Sequence, residues 1–152
     1  MSPFSVHIAS SAELREAIGV RIRVFFEIQK FPLNEEADEL DKVARHVVVT
    51  DEGLGGRVVG TLRILKTGDA AKLGRVVILL EYQGRGLGRQ LVGFAEQHIA
   101  TAPEFRECTH VKLGSQYDKR GFYERCGYSS RGGVFDDLGY PHIWMHKPIQ
   151  RT

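Results

Sequence analysis

The chain has 152 residues, and its 21 basic and 19 acidic side chains leave a net charge of +2. That length suits one domain with one core, so residues 1–152 are read as a single domain. So balanced a charge argues against nucleic acid as the main partner, because binding a phosphate backbone needs a concentrated basic surface. No apolar run approaches the ~20 residues of a membrane span, so no membrane partner is expected. The opening Met1–His7 lacks the basic and apolar regions of a secretory signal. The two cysteines, Cys108 and Cys126, show neither a disulfide framework nor metal spacing. Together these features imply reduced thiols in a cytoplasmic protein.

In chain order, Ser5 to Ala9 reads as a short strand, and Ser10 with Glu13 as a capping box that opens a helix. Leu14, Ile18, Ile22 and Phe25 recur at helical spacing and mark its expected buried face, with Pro32 as its limit. Phe31 to Lys42 is an acidic loop or short helix. His46 to Thr50 and Arg57 to Leu65 form a hairpin across the glycine-rich turn at 51–56. Leu73 to Leu80 is a strand, and a helix with Leu87, Leu91, Phe94 and Ile99 on its apolar side follows the next glycines. Thr109 to Leu113 is a strand and Asp118 to Arg125 a helix closed by Gly127. Tyr128 to Phe135 and His142 to Lys147 make a last hairpin. This order predicts an α+β fold, a mixed central β-sheet flanked by helices on both faces.

The most informative segment is Gln83-Gly84-Arg85-Gly86-Leu87-Gly88, where a buried strand runs into glycines that open a helix. Glycines allow positive φ and close backbone approach. Unpaired N–H groups at the helix start, with the positive end of the helix dipole behind them, suit an anion such as phosphate. Arg85 and Arg89 add charge. A P-loop is excluded because no Gly-Lys-Ser/Thr follows. A dinucleotide fingerprint fails because Arg89 stands where its third glycine belongs and the strand lies in mid-chain. A bare glycine turn that only caps a helix remains the plain alternative.

Gln83-Gly84-Arg85-Gly86-Leu87-Gly88 resembles the pyrophosphate motif Gln/Arg-x-x-Gly-x-Gly/Ala of the GNAT N-acetyltransferase superfamily, and Val76-Val77-Ile78 resembles its cofactor strand. Phe122-Tyr123-Glu124-Arg125-Cys126-Gly127-Tyr128 is similar to its second landmark, Tyr-x-x-x-Gly-Phe/Tyr. The likeness extends over nearly the whole chain towards small ElaA-like members, at Val24-Phe25, Gln29, Pro32, Glu36, Asp38, Asp41, His46, Phe135, His142 and Met145. It departs at Ile28-Gln29, where those relatives usually carry Glu-Gln, and at Gln116, where many members have Asn.

The resemblance implies the GNAT fold and acetyl-CoA as co-substrate, with no metal. Backbone groups of Val76, Val77 and Ile78 would pair with the pantetheine arm and polarise the thioester carbonyl. The segment Gln83, Gly84, Arg85, Gly86, Leu87, Gly88 and Arg89 would hold the pyrophosphate, and Gln116 would approach the pantetheine. A primary amine, expected to belong to a small molecule such as an amino sugar, polyamine or amino-acid derivative, would attack the thioester directly in a ternary complex. Tyr123 matches the family's general acid. Gln29, Glu36 and His142 are candidate acceptor contacts. The proton-accepting group stays open among Glu27, Glu36, Asp38, Asp41, His46, His110 and His142. Two further readings are acetylation of a protein or peptide amine, and a non-catalytic acyl-CoA-binding module. A homodimer is compatible with either.

Overall fold

Strands dominate where apolar β-formers cluster, and helices fill the intervals. The structure, a computed structural model, describes residues 3–29, 39–137 and 139–151. Its strands are β1 (Phe4–Ile8), β2 (Arg45–Asp51), β3 (Arg57–Thr67), β4 (Ala70–Ile78), β5 (His110–Gln116), β6 (Ser129–Asp137) and β7 (Tyr140–Pro148). Its α-helices are α1 (Ser11–Arg21), α2 (Leu87–Thr101) and α3 (Arg120–Arg125). The hydrogen-bonded order is β1-β2-β3-β4-β5-β7-β6. β4 and β5 are parallel, while β1/β2, β2/β3, β5/β7 and β6/β7 are antiparallel. A parallel pair needs a crossover, and α2 supplies it. The sheet is therefore mixed and the fold α+β, as expected. No helix among the described residues is long and apolar enough to cross a membrane.

The chain gathers into two compact units, Met1–Leu65 with Arg75–Ala95, and Lys66–Gly74 with Glu96–Thr152. In the first, β2 is buried at every position after Arg45, as a central strand must be. The capping box opens α1: the Glu13 N–H donates to Ser10 Oγ at 3.2 Å and the Ser10 N–H to Glu13 Oε1 at 3.0 Å.

The buried line of α1 is not the one expected. Ala17, Val20, Arg21 and Val24 are buried, and Leu14, Ile18, Ile22 and Phe25 lie half-buried beside them. An arginine enters the core because its charge is met there. Arg21, 1% exposed, donates through both terminal nitrogens to Asp41, at 2.9 and 3.1 Å. Arg63 Nη1 donates to the same carboxylate at 3.0 Å. Burial pulls the Arg21 guanidinium below its ordinary pKa, and Asp41 opposes that shift. Past Arg21 the helix widens into a π-helix over Ile22–Ile28, closed by the Gln29 N–H donating to Val24 O at 2.9 Å. Apolar spacing does not separate that turn from an α-turn. Of the acidic stretch, Glu39–Lys42 is a short 3₁₀ helix carrying Asp41, and residues 31–38 lie outside the described residues.

In the second unit Val111, Leu113, Ile143 and Met145 form the core face of β5 and β7. Glu96 of α2 accepts from Tyr128 Oη at 2.8 Å and from Lys147 Nζ at 3.0 Å. α3 is shorter than predicted, since Tyr117–Lys119 is a 3₁₀ turn ahead of it. Gly127 follows its end, as expected. β6 forms the sheet edge, is largely exposed, and shifts register between Arg131 and Phe135.

Asp41→Ala takes the carboxylate away from the buried guanidinium groups of Arg21 and Arg63 and is expected to lower the unfolding free energy by about 3 kcal/mol in chemical denaturation. Arg21→Met should cost less, because Asp41 keeps Arg63.

Candidate active site at the end of β4

β4 does not run straight to its end. Its pairs with β5 are Ala70↔His110, Ala71↔Val111 and Lys72↔Lys112. At Arg75 the backbone turns left-handed with φ 54°, the one non-glycine residue to do so among those described. A β-strand does not hold such a conformation without surrounding support, and such outliers gather at ligand sites. Beyond the bend come Val76, Val77 and Ile78. They lie close against β3 because Gly60 has no side chain. A Cβ there would run into Ile78 Cδ1 and come within 2.8 Å of Val49 Cγ1 and 3.1 Å of Val77 O.

The Leu79 N–H donates to Val59 O at 2.8 Å, and the chain then leaves the sheet through a 3₁₀ turn, Leu80–Tyr82. Tyr82 anchors that turn. Its ring is buried, meets Phe4 edge-on at 6.0 Å and carries the Arg85 guanidinium 5.0 Å from its centre. Its hydroxyl donates to Asp51 Oδ2 at 2.7 Å, and this bond holds the phenol above its ordinary pKa. Gln83 is spent locally: its N–H donates to Leu80 O at 3.2 Å and its Nε2 to Ile78 O at 3.0 Å.

From Gly84 the pattern changes. The ladder of α2 opens with the Gln90 N–H donating to Gly86 O at 3.2 Å. The six preceding amides, Gly84 to Arg89, donate to no acceptor among the described residues. Gly84 and Gly86 have φ of 81° and 78°, and a Cβ built on either would meet no atom within 4 Å. Glycine is thus required there by backbone conformation, and the protein does not crowd the turn. Leu87 points its side chain into the core and offers only its amide, whereas Arg85 and Arg89 are exposed. Consecutive free amides at the start of a 15-residue helix fit a phosphate group. A pyrophosphate would be held by the amides of Gly84 to Arg89, with Gln83 serving as a brace.

In the second unit, Tyr123 is partly buried on α3, with Phe122 edge-on at 5.0 Å and Tyr128 at 6.1 Å. Its hydroxyl bonds to no described residue. Burial, with Cys126 adding to it, raises its pKa well above the ordinary phenol value. It therefore stays protonated at neutral pH as a donor with no acceptor among the described residues. Gln116 ends β5 and faces His142 of β7 across the ladder, and Phe135 of β6 faces His142 from the other side. His142 is buried, and its Nδ1 lies 2.9 Å from Tyr140 O. That contact makes Nδ1 the donor and leaves Nε2 as an acceptor.

The remaining candidates separate. Asp41 is bound to Arg21 and Arg63, and His46 Nε2 lies 3.0 Å from Asp41 O, so both are parts of the buried ionic cluster. Gln29 closes the π-helix. His110 stacks on His146 at 5.0 Å. The side chain of Glu27 and the whole of Glu36 and Asp38 lie outside the described residues. No group of three or more potential metal ligands occurs among the described residues. Sequence reading missed Gly60, the bend at Arg75 and the Tyr82–Asp51 bond. Only the Gly74-Arg75 pair inside an apolar strand offered a signal.

A family model for the acetyltransferase (GNAT) domain matches residues 42–130. YyaT of Bacillus subtilis is 35% identical over 95% of each chain. Among solved structures, an acyl-CoA N-acyltransferase from Pseudomonas aeruginosa aligns at TM-score 0.78 and 28% identity, over 95% of this chain and 97% of its own. Escherichia coli ElaA aligns at TM-score 0.77 and 25% identity, over 97% of this chain and 99% of its own. Two more distant proteins share the fold alone. They are spermidine N-acetyltransferase from Vibrio cholerae, crystallised with CoA and spermine (TM-score 0.71, 17% identity), and ribosomal-protein-S5-alanine acetyltransferase from Vibrio fischeri (0.73, 13%). The free amides after β4, the tyrosine of α3 and these likenesses agree, and the chain belongs to the GNAT family of acetyltransferases.

Proposed function

We propose that this enzyme transfers the acetyl group of acetyl-CoA to the primary amine of a small molecule, by direct attack within a ternary complex. The observation that carries the reading is the row of six amides from Gly84 to Arg89 that donate to no acceptor among the described residues. Acetyl-CoA supplies an activated thioester, and the protein supplies position and charge. Amides of the glycine turn hold the pyrophosphate, with Arg85 and Arg89 on its exposed side. The backbone of Val76, Val77 and Ile78 pairs with the pantetheine amides, and an N–H there polarises the thioester carbonyl. Gln116 steadies the pantetheine end.

The incoming amine nitrogen bonds to the acetyl carbon as the carbon–sulfur bond breaks; the nitrogen releases one proton to water, which in turn restores the donor's, and the departing sulfur takes a proton. Tyr123 gives that proton. Its elevated pKa keeps it loaded at neutral pH, and its hydroxyl has no competing partner among the described residues. A non-catalytic module would have no use for such a donor. The fold does not decide the acceptor, since relatives of this shape take polyamines and a protein amine.

Turnover of acetyl-CoA against a panel of primary amines tests the activity; CoA binding with no transfer to any acceptor would overturn it. Gly86→Glu should abolish CoA binding in calorimetry while the melting transition survives. Gly86→Ala, which carries only the positive-φ strain of about 1–2 kcal/mol, should keep measurable affinity. Tyr123→Phe should lower kcat about a hundredfold with CoA affinity within about twofold. The wild-type rate should show no alkaline fall from Tyr123 between neutrality and the ordinary phenol range, because its pKa lies above that range. Gly60→Ala should push Val77 and Ile78 away from β3 and weaken CoA binding about tenfold, read by the same calorimetry.

A further inference from the structure

Within the second unit, strand register gathers one set of side chains on a single face. β5 contributes Lys112, Gly114 and Gln116, and directly opposite them β7 contributes His146, Trp144 and His142. β6 places Arg131 opposite Trp144 and Phe135 opposite His142, and β4 sets Lys72 beside Lys112. Trp144 stacks on Phe135 at 5.5 Å, and the Nζ atoms of Lys72 and Lys112 each lie 5.4 Å from its ring. The result is an aromatic floor ringed by cations.

The charge on this face is one-sided. The four strands carry two carboxylates, Asp136 and Asp137, both at the far end of β6. Neither Lys112 nor Arg131 forms an ion pair with a described carboxylate. Like charges on adjacent strands repel, and an anion between them removes the penalty. The same field acts on His146, which burial and the charges of His110, Arg131 and Lys112 hold below its ordinary pKa. At the other end, His142 Nε2 is an acceptor with no described partner. His142 and Trp144 are two residues apart on β7, about 7 Å at ordinary strand rise.

We propose that this face selects the acceptor: a primary amine that also carries a phosphate or carboxylate. Its anion lies between Lys112 and Arg131 over Trp144, and its ammonium donates to His142 Nε2. This assignment rests on the acetyl-transfer reading above. A fork of guanidinium and ammonium donors suits a phosphate or carboxylate, and the same cations reject polycationic amines.

Three amines of one chain length test it: 6-aminohexyl phosphate, hexylamine and 1,6-diaminohexane. The phosphate-ended amine is expected to have a kcat/KM at least about tenfold above either of the others, mainly through KM. Lys112→Glu should reverse the order in favour of the diamine, which a merely structural role for Lys112 would not do. Trp144 is the sole tryptophan, so its fluorescence reports occupancy without turnover. 6-Aminohexyl phosphate should shift its emission saturably, and Lys112→Ala with Arg131→Ala should remove the shift. Equal or better use of the diamine by the wild type overturns the proposal. A silent Trp144 overturns it as well. Saturable binding at Trp144 with no acetylation of any amine supports this face and defeats the transfer reading, so the two failures are distinct.

Discussion

A strand that leaves a sheet and becomes a helix between Ile78 and Leu87 must abandon one hydrogen-bond pattern before the next begins. Backbone donors left over in that interval need water or a ligand. Here the first part of the interval is tied down and the second is left bare. Tyr82 bonded to Asp51, Gln83 bonded to Ile78 O and the Leu79 amide bonded to Val59 O consume the early donors and fix the turn. From Gly84 to Arg89 an unbroken run of amides donates to no acceptor among the described residues. A cradle for an anion is useful when it is already shaped, and the bonds behind it do the shaping.

The buried charges of the first unit follow a related rule. Asp41 receives a bidentate pair from Arg21 and a further bond from Arg63, and its own carbonyl oxygen lies 3.0 Å from His46 Nε2. Such a cluster is weak evidence of net stability, because desolvation offsets most of the attraction. Its geometric effect is firmer. One carboxylate fixes the end of α1, the 3₁₀ turn at Glu39–Lys42 and the middle of β3 together. β3 is also the strand whose Gly60 admits the end of β4.

Much of this architecture was legible in the sequence, and particular residues show why the rest was not. The capping box at Ser10 and Glu13, the glycine turn and Gly127 after α3 are local signals with local causes, and they appear where expected. The face of α1 was misjudged because reading by hydropathy puts arginine outside, while the carboxylate that draws Arg21 inward stands twenty residues away in the chain. The same limit hid Gly60, whose role depends on a strand that follows it by nearly a full hairpin. Tyr123 could be named from its motif, but its unshared hydroxyl and raised pKa depend on packing by Tyr128 and Phe122. The cationic face of the second unit escaped notice because Lys72, Lys112, Arg131 and Trp144 are scattered along the chain and meet only through register.

That sheet ends on β6, an exposed strand whose outer backbone groups are a ready template for another chain. The register shift between Arg131 and Phe135 breaks the template in its middle, where the run Gly132-Gly133 supplies no side chains to pack. Flanked by Arg131 on one side and Asp136 and Asp137 on the other, the interrupted margin is a poor seed for edge-on growth. Straightening it with β-branched residues would leave a margin prone to stack into fibrils.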